Sequence, residues 1–120
     1  MILADTSIWV DHLRGRANGL SQRLDDGEIV IHPFVIGELM LSGVYRRPDI
    51  LAELRQLPPA PSVRPEEAEA LIERESLDGR GIGYVDVILL AAVRLQPGTR
   101  LWTSDQKLRQ IAATMAISVE

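Results

Sequence analysis

The sequence predicts an α/β protein: a three-layer α/β/α sandwich on a mostly parallel central sheet, occupying residues 1–120 as one domain. Three observations lead there. Short apolar runs, among them Ile2–Ala4 and Leu101–Trp102, end on polar residues that favour turns and helix starts. Between such runs lie stretches with apolar side chains at helical spacing, so strands alternate with helices, the pattern of a parallel sheet covered on both faces. Acids stand after two of the predicted strands, Asp5 and Asp105, at the strand ends where such sheets bind ligands.

The elements follow in order. Ile2-Leu3-Ala4 reads as a buried strand, and Asp5-Thr6-Ser7 as the start of a helix, since all three residue types cap well. Ile8, Trp9, His12 and Leu13 recur at helical spacing up to a stop at Gly15, and a small helix covers Leu20–Leu24. Glu28–Ile31 is the second strand. Pro33 suits the first turn of a helix from Phe34 to Leu41 that ends near Ser42-Gly43. A helix from Pro48 to Leu57 is closed by Pro58-Pro59-Ala60-Pro61, a rigid connector, and Ser62-Val63-Arg64 is assigned as a brief edge strand. Glu66, Glu67 and Glu69 sit where a helix dipole favours acids, on a helix from Pro65 with Ala68, Leu71 and Ile72 as its stripe. After Gly79, Gly81 and Gly83, Val85–Val93 is apolar except for Asp86 and predicts a buried helix. Arg100–Thr103 is a strand, Asp105–Ala113 a helix, and Ile117–Val119 the last strand.

Composition removes several kinds of chemistry. With no cysteine there are no disulfides and no thiolate metal sites, and two isolated histidines, His12 and His32, do not build a zinc site. The N-terminal apolar run meets an acid at Asp5, too early for a secretory signal, and no apolar run reaches the roughly 20 residues needed to span a bilayer. A soluble, cytoplasmic protein is the expectation. Thirteen basic against 17 acidic residues give a net charge of −4, awkward for a chain that binds nucleic acid. Twelve of the 13 are arginines, however, which suit bidentate phosphate contact.

Four acids stand out from the solvated ones. Glu38 lies inside the apolar run Phe34–Leu41, Asp86 opens the most apolar helix, and Asp5 and Asp105 end strands beside Thr6, Ser7, Thr103 and Ser104. Each has a bland reading: Asp5 and Asp105 as helix caps, Glu38 on a polar strip or paired with an arginine, Asp86 as a first-turn dipole acid. As a set, they are carboxylates that one fold would bring to one end of a sheet, where like charges repel until a cation binds. A hard divalent ion takes such oxygens without histidine or cysteine, polarises a phosphoryl oxygen and activates water. Phosphodiester hydrolysis follows. There is no Walker loop and no dinucleotide fingerprint to suggest otherwise.

The run Ile2-Leu3-Ala4-Asp5-Thr6-Ser7-Ile8-Trp9, then Glu38-Leu39, then Asp86–Ala92, then Leu101-Trp102-Thr103-Ser104-Asp105 resembles the PIN-domain ribonucleases. Within them it is similar to the VapC-type toxins of bacterial and archaeal toxin–antitoxin pairs. The likeness runs over essentially the whole chain. It implies that Asp5, Glu38, Asp86 and Asp105 hold Mg²⁺ or Mn²⁺, with Ser7 and Thr103 supporting the centre by hydrogen bonding. It also implies a homodimer, an RNA substrate such as transfer or ribosomal RNA, and neutralisation by a small antitoxin protein whose C-terminal segment lies in a groove near the acids. Cleavage would leave a 5′-phosphate and a 3′-hydroxyl. One departure from the family is that Asp105 is followed by Gln106-Lys107-Leu108 and not by a further acid and an aromatic, which favours one tightly held ion.

Arg14, Arg46, Arg47 and Arg80 are candidates for backbone contact, with nothing to choose among them. Apolar stretches at Val35–Leu41 and Val85–Val93, with Trp9 and Val44 as exposed candidates, suggest symmetric pairing. Two rival readings stay open: a PIN-type RNA-processing nuclease without an antitoxin, and a catalytically silent interaction module. A receiver domain fits less well, because the spacing from Asp5 to Glu38 and the missing lysine before the last strand do not suit it.

Overall fold

The computed structural model describes residues 1–43 and 48–119. Arg46, Arg47 and Val44, named above as candidate contacts, lie outside the described residues. Three parallel strands, β1 (Ile2–Ala4), β2 (Ile29–Val30) and β3 (Arg100–Trp102), form a sheet in the order β2-β1-β3. Seven helices surround it: α1 (Thr6–Leu13), α2 (Leu20–Asp25), α3 (Pro33–Ser42), α4 (Pro48–Arg55), α5 (Pro65–Glu75), α6 (Tyr84–Leu95) and α7 (Gln106–Thr114). Successive side chains of a strand point to opposite faces, and all three of β1 are buried, so helices cover both faces of the sheet. The α/β sandwich with a parallel sheet stands as the sequence predicts it.

The central strand fixes the rest. Ile2 stands opposite Ile29 on one side and Arg100 on the other, and Leu3 opposite Val30 and Leu101. Helix α6 packs against β3 and α5, and every residue from Val87 to Val93 is buried. Among the described residues, no helix is long and apolar enough to cross a membrane. At the start of α3, buried His32 caps the helix through Nδ1, which accepts from Phe34 N–H at 3.0 Å. The end of α3 is a left-handed Gly43, a conformation that a side chain resists.

Three expectations need correction. The segment pairing beyond β2 is Pro58–Ala60, not Ser62–Arg64: Ile31 N–H donates to the Pro58 carbonyl at 2.9 Å, and Ala60 N–H to the Ile31 carbonyl at 2.7 Å. Prolines lack donors, but an edge needs donors on one side only. Ile117–Val119 makes a single bridge, Ser118 to Leu101, and is no full strand. Trp9 is 3% exposed, packed in the core, and with Val87–Val93 equally internal the case for pairing rests on other residues.

A candidate acidic centre at the strand ends

Asp5 leaves β1 at its C-terminal end and caps α1, its carboxylate accepting from Ile8 N–H at 3.3 Å. It is 6% exposed. An unaided buried carboxylate is costly, and two hydroxyls meet this one: Ser7 Oγ donates to Oδ1 and Thr103 Oγ1 to Oδ2. Thr103 follows β3, so adjacent strands deliver acid and hydroxyl to the same point. Ser7 and Thr103 are further tied to the chain after β3, since Ser104 N–H donates to Ser7 Oγ and Asp105 N–H to Thr103 Oγ1, both at 3.0 Å. One network joins the ends of two strands.

The other acids are each held by one oxygen. Asp105 caps α7, accepting from Leu108 N–H at 3.0 Å through Oδ1. Asp86, in the first turn of α6, accepts from Gly83 N–H at 3.1 Å through Oδ2. Glu38, midway along α3, accepts from Thr6 Oγ1 at 2.7 Å through Oε1. Their second oxygens have no hydrogen-bond partner among the described residues. The cap reading of Asp5 and Asp105 is therefore correct as far as it goes, and Glu38 is bonded by a threonine and by no arginine among the described residues.

Electrostatics shows that the four share one region. Burial pushes the Asp5 carboxyl above its ordinary value; Ser7, Thr103 and the Ile8 N–H pull it back, and the Asp86 charge adds to the rise. Burial raises Asp86 as well, against the Gly83 N–H and with the charges of Asp105 and Glu38. Asp86 thus feels or influences each of the other three, and is the electrostatic middle of the set. Sequence order gave no hint of that. The three ion pairs among the described residues, Arg16–Asp11, Arg64–Glu67 and Arg94–Glu75, involve none of these acids.

Among the described residues, no three acids or histidines already stand close enough together to grip a cation. The donor set nonetheless fits a hard divalent ion: carboxylate oxygens only, three of them without a hydrogen-bond partner, and no ion pair to any of the four acids among the described residues.

Of the candidate arginines, Arg14 ends α1 and Arg80 lies in the exposed turn before α6, and neither contacts the acids. Sequence reasoning missed Arg109, whose Nη2 donates to the Thr103 carbonyl at 3.2 Å. Its place four residues after the α7 cap was the available signal.

The PIN-domain family model matches residues 2–114. The chain is 41% identical over 119 residues to ribonuclease VapC32 of Mycobacterium tuberculosis strain CDC 1551 / Oshkosh, an alignment covering 99% of this chain and 96% of the relative. Ribonuclease VapC32 of strain ATCC 25618 / H37Rv matches to the same extent. The chain belongs to the PIN-domain family of nucleases, as a relative of the VapC-type ribonucleases along its whole aligned length.

Proposed function

We propose that the protein is a Mg²⁺- or Mn²⁺-dependent endoribonuclease, the cytoplasmic toxin of a toxin–antitoxin pair, acting on structured RNA such as transfer or ribosomal RNA. The observation that carries this reading is that Asp5 and Asp105, at strand ends, and Glu38, on α3, all act through charge on or with Asp86, while no ion pair among the described residues neutralises any of the four. The relatives' name supports RNA as the substrate.

Asp5, Asp86 and Asp105 would hold the ion, which when bound supplies positive charge for a phosphoryl oxygen and lowers the pKa of water. The protein's own residues do the rest. Ser7 and Thr103 fix the plane of the Asp5 carboxylate. Glu38, anchored to Thr6 by Oε1, has Oε2 available to take the proton of the attacking water. The water oxygen bonds to phosphorus, the bond to the 3′ oxygen breaks, and that oxygen collects a proton from solvent, leaving a 5′-phosphate and a 3′-hydroxyl. Incubating purified protein with total cellular RNA, with and without Mn²⁺, and sequencing new 5′ ends tests this. Cleavage that persists unchanged in excess chelator, or no cleavage at all with metal present, would reject it.

The antitoxin reading is supported by a largely apolar cleft of about 230 Å³ beside α1, lined by Trp9, Leu13, Leu24, Ile50, Leu54 and Leu57 together with His12 and Glu53. It suits the apolar side chains of a short segment that folds on binding. Homodimerisation belongs to the same reading, and the exposed end of α3 supports it: Leu41 is 89% exposed, next to exposed Met40. Wild type should sediment at about twice the 13.3 kDa chain mass, and Leu41→Arg as a monomer. Wild type sedimenting only as a monomer at micromolar concentration would remove the dimer.

A further inference from the structure

An acidic protein that binds RNA beside four carboxylates must place cations close to them, and two on α7 are placed to serve. Both side chains come from the first turns of the helix that Asp105 caps. Two residues apart on a helix, they leave it in nearly opposite directions, about 200° apart around the axis. Arg109, half-buried, reaches back to β3, where its Nη2 holds the carbonyl of Thr103, the residue whose hydroxyl holds Asp5. It has no carboxylate partner among the described residues, and it lines a polar cavity of about 290 Å³ together with Trp102, Thr103 and Ser118. Lys107 goes the other way. It lies across Gly81, in the turn leading to Asp86, so closely that a Cβ built on Gly81 would stand 2.9 Å from Nζ. It is the only lysine in the chain, and it too lacks an acid partner among the described residues.

Unpaired cations beside acids usually form ion pairs with them. Here Arg109 is held by a backbone carbonyl and Lys107 lies over the backbone of Gly81, and neither is in an ion pair among the described residues, so their charge stays available. We propose that Arg109 and Lys107 contact the backbone phosphates of the RNA strand on either side of the bond that is cut, Arg109 on the β3 side and Lys107 on the α6 side. The proposal rests on the ribonuclease reading above. It makes these two positioning residues: they set where the strand crosses the acids, and take no part in proton transfer.

The test is an anisotropy titration of a fluorescein-labelled single-stranded RNA of mixed sequence against wild type, Lys107→Gln, Arg109→Gln, Arg109→Lys and the double glutamine variant. Ca²⁺ replaces Mg²⁺ to suppress turnover, and NaCl is varied. Each lost phosphate contact should flatten the plot of log affinity against log salt by about 0.7, and the double variant by about 1.4. Arg109→Lys should keep the wild-type slope, because it keeps the charge. RNA should also protect Lys107 from an amine-reactive acetylating reagent. An Arg109 that only ties down Thr103 would lower the melting temperature on substitution and leave the slope unchanged. Unchanged slopes with no protection of Lys107, in a wild type that binds and cuts RNA, would overturn the strand path alone. A wild type that neither binds nor cuts RNA would overturn the ribonuclease reading and the path with it.

Discussion

If Asp5 holds the ion as proposed, Asp5→Asn should lower RNA cleavage by about a thousandfold or more, since the ion would lose its most enclosed ligand and with it several kcal/mol of stabilisation for phosphoryl charge. The same variant should melt higher than wild type in chelator. The sign follows from burial. The folded carboxyl of Asp5 sits above its ordinary value of 3.8, so the folded state holds its proton more tightly than the unfolded chain. Stability contributed by that proton is complete below 3.8 and is lost as pH rises through the folded value, leaving a penalty at neutral pH. Asparagine carries no charge to desolvate, and its Oδ1 can still accept from Ile8 N–H. Its amide nitrogen then faces Thr103, whose hydroxyl must turn from donor to acceptor. Activity and stability therefore move in opposite directions. Melting curves with and without Mn²⁺, beside a cleavage assay, check both, and a variant that melts lower in chelator would mean that the hydroxyl network outweighs the desolvation of the charge.

Thr103→Val should be the most damaging change at a residue that is not an acid. It is 4% exposed, and its hydroxyl both donates to Asp5 and accepts from Asp105 N–H. Removing it leaves a buried carboxylate with one donor fewer, a loss of about 1–3 kcal/mol in stability. Misorienting a ligand through its supporting group typically costs about 10- to 100-fold in activity or metal affinity. The hydroxyl lowers the Asp5 carboxyl, so its loss should also move the acid limb of the rate profile to higher pH. Thr103→Ser should restore most of each effect. A valine variant with wild-type metal affinity and an unmoved acid limb would mean that Asp5 is oriented by Ser7 alone.

How much of this was legible in the sequence differs by element. Asp5 and Asp105 announced themselves by standing after apolar runs, and those runs are β1 and the end of β3. Glu38 was legible as an acid in an apolar helix, though not its bond to Thr6, which depends on α1 and α3 packing together. Trp9 was misplaced because periodicity gives the faces of a helix but not which face meets the core. The edge pairing fell on the prolines and not on Ser62–Arg64 because proline weakens strand propensity without preventing its carbonyl from accepting a bond. Lys107 and Arg109 were missed for a similar reason. Their meaning comes from Gly81 and Thr103, far away in sequence.

The proline edge has a consequence for how other chains attach. Ala60 turns its N–H inward to Ile31, and on either side of it, at the positions whose N–H groups would face the next strand, stand Pro59 and Pro61. A foreign strand arriving there finds carbonyls and no donors, so it cannot zip onto the sheet. At this edge a β-rich neighbour, or a second copy of the chain, is denied the commonest route to runaway polymerisation. Along this edge a partner must engage side chains instead of backbone.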